Sequence, residues 1–336
     1  MTRSFDIAVI GATGGVGETL VQLLEERDFP VANLHVLASG ESAGRSLPFK
    51  GKSLRVRALD SFDFSSVRLA FFAAGDAVTL SHARLALAAG CAVIDLSAAL
   101  PADQAPRVVP EVNPEVLAGL APPFLLCSPS ASSIALAVVL AALRDHLTPQ
   151  RVTVTACLAV SSRGRAGVAE LARQTAELLN GRAFEPQLFD RQVAFNLLAQ
   201  AEVNDIEGHT ALERRISAEL KELLELPQLK VSATCLQAPV FFGDSFSVSL
   251  QSAAPVDLSL LAEALEAAPA LEYVELGDYP TAVGDAVGQD QIYVGRLRAG
   301  LDDPAELNLW IASDNARKGS ALNAVQLAEL LIKHYL

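Results

Sequence analysis

The spacing of apolar and polar positions changes character about halfway along the chain. Residues 6–24, DIAVIGATGGVGETLVQLL, read as a solid apolar strand, a glycine-rich turn and the start of a helix. Further strand-length apolar runs follow at 33–39 (NLHVLAS), 53–59 (SLRVRAL), 67–75 (VRLAFFAAG) and 91–97 (CAVIDLS), with a helical stretch at 77–90. Strands alternating with helices predict a parallel, doubly wound sheet, with PFLLCSPS (123–130) as its last strand. From about Arg151 the runs become longer and alternate. Segments 151–162, 230–252, 291–300 and 307–315 predict a mixed or antiparallel sheet, with helices at 167–181 and 211–226 over one face. The last stretch, 318–336, is apolar along one side and is expected to pack back on the first sheet. The expected domains are therefore 1–131 with 316–336, and 132–315, with no internal repeat or low-complexity segment.

Composition narrows the classes. In 336 residues, 51% are hydrophobic and 19% charged, enough for a large core. The apolar run ALAVVLAAL (135–143) is too short to span a bilayer and is bounded by Arg144 and Asp145, so no membrane association is expected. The N-terminus passes directly into a strand–turn motif, so no signal peptide and a cytoplasmic setting are expected. A net charge of −13 repels phosphate backbones and argues against a nucleic-acid partner. Cys91, Cys127, Cys157 and Cys235 lack metal-finger spacing and read as buried, reduced thiols. The five histidines show no zinc-type pairing, so no metal is expected.

Two stretches carry candidate chemistry. Gly11, Gly14 and Gly17, with Thr13, Gly15 and Val16 between them, follow a strand and open a helix. That placement suits a dinucleotide pyrophosphate on the helix N-terminus. Glu41, after the second strand, suits a free ribose hydroxyl and repels a 2′-phosphate; Arg45 partly offsets it, so NAD is favoured over NADP. The second stretch, FLLCSPSASSIALAVVL (124–140), is a strand, a sharp polar turn and an apolar helix. Enzymes often present a nucleophile at such a turn, yet Ala131 has no nucleophilic atom.

Several motifs together resemble the aspartate-β-semialdehyde dehydrogenase family: GATGGVG (11–17), SAGRSLPFKGK (42–52), VVPEVNPE (108–115), GRAGVAELARQTAELLNG (164–181), KVSATCLQAPVFFGDS (230–245), YVGRLR (293–298) and LNLWIASDNARKGSALNAVQLAELL (307–331). The resemblance covers nearly the whole chain. It implies a Rossmann-like NAD(P)-binding domain, an α+β domain whose sheet serves for dimerisation, and a homodimer. It also implies a reaction in which a cysteine thiolate attacks an aldehyde, hydride passes to the nucleotide, and phosphate cleaves the thioester.

Carried over position by position, the resemblance places Ala131 where the cysteine stands. Leu158 falls at a glutamine, Gln237 at the substrate arginine, and Asp244 at the acid/base histidine. Pro101 falls at a phosphate-site arginine, and on the long helix Leu212 replaces an acid while Arg215 keeps a positive charge. Arg215 and Gln237 remain as substrate- or anion-binding candidates. On the cofactor side Gly11, Thr13, Gly14, Gly15, Val16, Gly17, Ser39, Ser42, Ser161, Gly164 and Asn323 match. Ser130 and Ser132 read as helix-capping residues, Glu213 and Glu219 as a solvated helix face, and Trp310, Phe241 and Phe242 as core.

The expectation is a dimeric NAD(P)-binding family member without the ordinary dehydrogenase activity, similar to the divergent Usg-type branch, with room for a small-molecule ligand. The alternatives are an oxidoreductase with altered chemistry and a structural partner of the true dehydrogenase.

Overall fold

In the computed structural model, which describes residues 4–336, FDIAVI forms β1 (Phe5–Ile10) and passes through the glycine turn into α1 (Gly15–Glu26). There follow β2 (Val31–Ala38), a ribbon of β3 (Ser46–Phe49) and β4 (Lys52–Arg55), β5 (Arg57–Ala58), β6 (Leu69–Phe72), α2 (Asp76–Ala88), β7 (Ala92–Asp95) and β8 (Leu125–Cys127). Six of these strands form an all-parallel sheet in the order β5-β2-β1-β6-β7-β8. The order reverses between β1 and β6. The glycine turn after β1 thus opens at the switch point, where sheets of this kind bind ligands.

Burial on both faces explains the solid apolar runs. Ile7, Val9, Leu69 and Phe71 join one core, while Ala8, Ile10, Ala70 and Phe72 join the other. The expected strand at 53–59 is broken instead: β4 ends at Arg55, and only Arg57–Ala58 reach the main sheet.

The second unit begins with α3 (Ala131–Leu143), in which every residue but Ala131 and Ala142 is buried. It continues through β9 (Pro149–Leu158), α4 (Gly164–Leu179), α5 (Ala211–Leu223), β10 (Lys230–Gln237), β11 (Asp244–Ser252), α6 (Leu258–Ala267), β12 (Leu271–Tyr273), β13 (Ile292–Ala299) and β14 (Glu306–Ser313). Its mixed sheet has the order β10-β9-β11-β14-β13-β12, with β9–β10 and β12–β13 parallel and the other pairs antiparallel. Helices α3, α5 and α6 pack on one face over Val152, Val154, Phe246, Val248, Leu309 and Ile311. The opposite face carries Thr153, Thr155, Ser232, Thr234, Ser247 and Ser249, a hydroxyl-bearing surface.

The alternating run 230–252 is two strands, because Pro239 has no N–H for a ladder and the turn 238–243 reverses the chain. Phe241 and Phe242 lie on that turn, 40% and 45% exposed, and are not core. Trp310 is half-buried and donates Nε1–H to the Pro280 carbonyl. Neither is Glu219 on a solvated face: it is fully buried on α5. Glu213 closes a capping box with Thr210 and accepts from the Cys235 N–H. After a π-type turn at Arg317–Leu322, α7 (Asn323–His334) places Val325, Ala328 and Leu331 in the core that holds Ile7 and Val9.

Contacts divide the chain after Ser130 and after Gly319, with Ser320–Leu336 counted in the first unit. The second unit thus takes α3 from its first residue and keeps the segment 316–319. No helix among the described residues is long and apolar enough to cross a membrane.

Gly17 lies against the turn it follows: a Cβ there would sit 2.2 Å from the Gly11 oxygen and 2.8 Å from the Ala12 Cα. Both are backbone atoms, so the helix itself has to shift. Gly17→Ala should destabilise the chain by about 1–3 kcal/mol. Gly15→Ala, with nothing within 4 Å of its added methyl, should leave stability unchanged or slightly raised. Urea unfolding midpoints of the two variants check this.

Candidate functional site

In the first unit, Gly11 has φ +78°, and an added Cβ would lie 2.3 Å from the Ala73 oxygen. The turn therefore requires glycine, and its backbone is held by the Gly11 and Ala12 N–H groups donating to the Leu37 carbonyl. Gly14 and Gly15 are exposed, and the N-cap Gly14 contributes no side-chain bond. The first-turn N–H groups of α1 have no intrahelical acceptor, so an open, donor-lined surface stands at the helix N-terminus. Thr13 and Val16 flank it, half-buried. Beyond β2, Ser39, Glu41 and Ser42 lie on a single 3₁₀ turn, with Arg45 exposed shortly after. Asn323, at the start of α7, is fully buried; its Nδ2 donates to Ser128 Oγ and Val108 O, while its Oδ1 has no partner. Pro101 is exposed, next to the loop that Asp95 holds by accepting from Ser97 N–H and Oγ.

In the second unit, sheet register brings three of the four carried-over substrate positions into one line. Gln237 of β10 pairs with Leu158 of β9, and Asp244 of β11 pairs with Ser313 of β14. Asp244 itself stands one step beyond the Ser245–Cys157 pair, beside Leu158. The row Gln237–Leu158–Asp244–Ser313 is in phase with the apolar face and at most 3% exposed throughout.

The row is tied together by one peptide group. The Leu158 carbonyl accepts from Gln237 Nε2 and from the Ala238 N–H, each at 2.8 Å. The Ala159 N–H donates to Asp244 Oδ1 at 2.9 Å. Burial pushes the Asp244 carboxyl up to about 7; the Ala159 N–H opposes that rise and the nearby Asp314 charge adds to it. Asp314 in turn accepts from the N–H groups of Gly288, Ala316 and Arg317. The Gly319 N–H donates to its carbonyl, which folds the turn beside α3. A Cβ on Gly319 would lie 2.8 Å from the Ala131 Cβ, so the first residue of α3 faces this turn closely.

Ser161 Oγ exchanges hydrogen bonds with the Asn315 side chain, and Gly164 takes φ +68° where the 3₁₀ turn enters α4. Arg215 is half-buried on α5, four residues before the buried Glu219 and on the same helix face. Leu212, also half-buried, donates its N–H to Glu202. Sequence reading did not single out Ser313, Asp314, Asn315 or Gly319. They lie in the motif 307–331, but their role depends on what β11 places opposite.

Three of the thiols are not activated. Burial pushes Cys91 and Cys235 up to about 12 and raises Cys157; Cys127 is buried in the first unit's core. Cys157 is half-buried, unlike the other three. No group of three or more metal-ligating side chains occurs among the described residues.

Because the native state holds the Asp244 proton more tightly than the unfolded chain, stability falls as pH rises from about 4 to 7 and the penalty is constant above that. Asp244→Asn keeps an acceptor for Ala159 and cannot ionise. Its stability advantage over the wild type should grow across that range, by up to roughly 4 kcal/mol, then stay flat to pH 9. Denaturant titrations at pH 4.5, 6, 7 and 8.5 read the difference.

Two family models match the chain: the semialdehyde dehydrogenase NAD binding domain over residues 6–120 and the semialdehyde dehydrogenase dimerisation domain over residues 140–318. A USG-1 protein homolog of Azotobacter vinelandii is 60% identical over 333 residues, 99% of each chain. Aspartate-semialdehyde dehydrogenase 2 of Vibrio cholerae is 40% identical over 336 residues, all of both chains. The solved structure of a probable aspartate-semialdehyde dehydrogenase from Pseudomonas aeruginosa, 60% identical, superposes with a TM-score of 0.98 over 99% of this chain and 100% of that one. With the glycine turn in one matched domain and the buried row in the other, the chain belongs to the semialdehyde dehydrogenase family.

Proposed function

We propose that this family member binds a nicotinamide dinucleotide as a homodimer and does not carry out the thioester-forming oxidation of aspartate semialdehyde. The observation that carries this reading is Ala131. The helix that would lower a thiol's pKa begins with a methyl group, and Gly319 packs closely against it. None of the thiols with a shifted pKa offers a thiolate at neutral pH. Loss of a covalent nucleophile costs several orders of magnitude in rate, and the arginine and histidine positions have changed with it.

The nucleotide side fits its ligand. The open N-terminus of α1, with Gly11, Thr13, Gly14, Gly15, Val16 and Gly17, suits the pyrophosphate. Ser39 and Ser42 offer hydroxyls near the adenosine ribose, and Glu41 favours NAD over NADP. Asn323 takes the nicotinamide end in the first unit on this reading, through an Oδ1 that only a donor satisfies. Bound there, the dinucleotide supplies a hydride acceptor. Support for the dimer comes from the dimerisation-domain match and the uncovered hydroxyl face of the mixed sheet. The setting on this reading is the cytoplasm, in keeping with four unbridged cysteines.

One observation favours a second reading, an oxidoreductase with altered chemistry. A carboxyl near pH 7 at Asp244 is poised for proton transfer.

Calorimetry with NAD and NADP should show binding at or below millimolar concentration. Light scattering should give twice the 35.4 kDa chain mass. Phosphate-dependent reduction of NAD or NADP with aspartate semialdehyde should stay at background for the wild type and for Ala131→Cys alone. Turnover by the purified wild type overturns the reading, and rescue by the single cysteine shows that the other changed positions matter little. A panel of aldehydes and acyl phosphates tests the second reading.

A further inference from the structure

Where β9 and β10 begin, the second unit has an open cavity of about 620 Å³. That volume lies within the range of small-molecule sites, about 300–1,000 Å³. Arg151 and Lys230 line it from adjacent strands, and the parallel register sets them directly opposite each other. Leu158 stands at the other end of β9, roughly 23 Å of strand from Arg151, so the cavity is separate from the buried row. Nor is it the phosphate position of the family resemblance, which falls at Pro101 in the first unit.

The chain carries 39 acidic and 26 basic side chains, yet no acidic side chain lines this cavity. Among the described residues, no carboxylate pairs with Arg151 or Lys230. Gln251 of β11 flanks Arg151 on its other side, and the carboxylates beyond it are engaged elsewhere. Asp303 accepts from Gln251 Nε2 and the Ala305 N–H, and Glu306 accepts from Ser249 and Asn308. Two like charges set side by side repel, and a bound anion relieves that repulsion. The turn after α5 adds an apolar wall of Leu226, Pro227 and Leu229. That wall is held in place: the Leu226 N–H donates to the Lys221 carbonyl, and the Leu229 N–H to the Leu226 carbonyl.

We propose that this cavity binds a small organic phosphate, whose anionic group lies between Arg151 and Lys230 and whose apolar body lies on Leu226, Pro227 and Leu229. A phosphate monoester carries close to two negative charges above pH 7, which matches two unpaired cations. A single carboxylate leaves one of them unmet. Arg151 supplies a planar guanidinium fork and Lys230 a point charge, and a tetrahedral phosphate has oxygens for both. Both side chains are exposed, so salt screens the attraction and millimolar affinity is expected. The assignment does not rest on nucleotide binding or on the absence of semialdehyde turnover.

Calorimetric titrations of the full-length protein with phenyl phosphate, inorganic phosphate and benzoate test it, at pH 8 and low salt with millimolar NAD present to compete at the glycine turn. Phenyl phosphate should bind about fivefold or more tightly than benzoate, and about threefold more tightly than inorganic phosphate. Arg151→Gln and Lys230→Gln should each weaken phenyl phosphate about fivefold or more, and together abolish its binding. Both side chains are on the surface, so circular dichroism and NAD binding should stay unchanged. Raising sodium chloride from about 20 to about 300 mM should weaken binding at least threefold. The proposal is overturned if phenyl phosphate at about 20 mM releases no heat, or if benzoate binds as tightly. It is also overturned if the double variant binds phenyl phosphate as the wild type does, which would place the ligand elsewhere. Equal binding of phenyl phosphate and inorganic phosphate would mean an adventitious ion only, and overturns it as well.

Discussion

Where β9 leaves its ladder, the peptide joining Leu158 to Ala159 still has a carbonyl and an N–H to satisfy away from water. Gln237 reaches its carbonyl from β10, and Asp244 reaches its N–H from β11. That need fixes one end of the mixed sheet in the second unit. It brings two polar side chains to a place that alternation otherwise reserves for apolar ones, and it buries them. The Asp244 carboxyl rises to about 7 as a consequence, because the strand end that uses its oxygen also shuts out solvent. Asp314 acts similarly one turn later, gathering three N–H groups and folding the segment that brings Gly319 against Ala131.

The two ends of the family's chemistry are preserved unequally. The glycine turn keeps its shape for steric reasons that do not depend on catalysis. Gly11 and Gly17 sit where a methyl would overlap backbone atoms, so the sheet and helix of the first unit need them whether or not a nucleotide arrives. The buried row of the second unit has no such steric protection. On the reading proposed above, a methyl, an amide and a carboxyl stand at Ala131, Gln237 and Asp244 where the family resemblance places a thiol, a guanidinium and an imidazole. The amide and the carboxyl now hold the strand end together, a task that a structural row can perform without turnover. On the proposed reading, the fold and the glycine turn outlast a reaction.

Much of the architecture was legible because burial writes itself into period. FDIAVI and LAFF are solid apolar runs since both their faces are covered, and 151–162 alternates since one face of its sheet is open. Short or edge elements were missed: β3, α6 and the three-residue β12 carry too few periodic positions to stand out. Glu219 reads as solvated from its charge, yet it is buried on α5 four residues after Arg215. Phe241 and Phe242 read as core from their size, yet a turn behind Pro239 lifts them to the surface. In each case the local signal was sound, and a neighbour distant in sequence reversed its meaning.

The sequence by itself determined the glycine turn, the alternation of strands and helices, the later change of period, and the identity of Ala131, Leu158, Gln237 and Asp244. These are properties of residues and short windows, governed by sterics, side-chain chemistry and periodicity. Tertiary structure alone decided that Leu158, Gln237 and Asp244 share one row with Ser313, that one peptide links them, and that Gln237 is left with an unmet acceptor. Register between strands far apart in the chain sets those relations, and register depends on the pairing of whole strands, which no local window records.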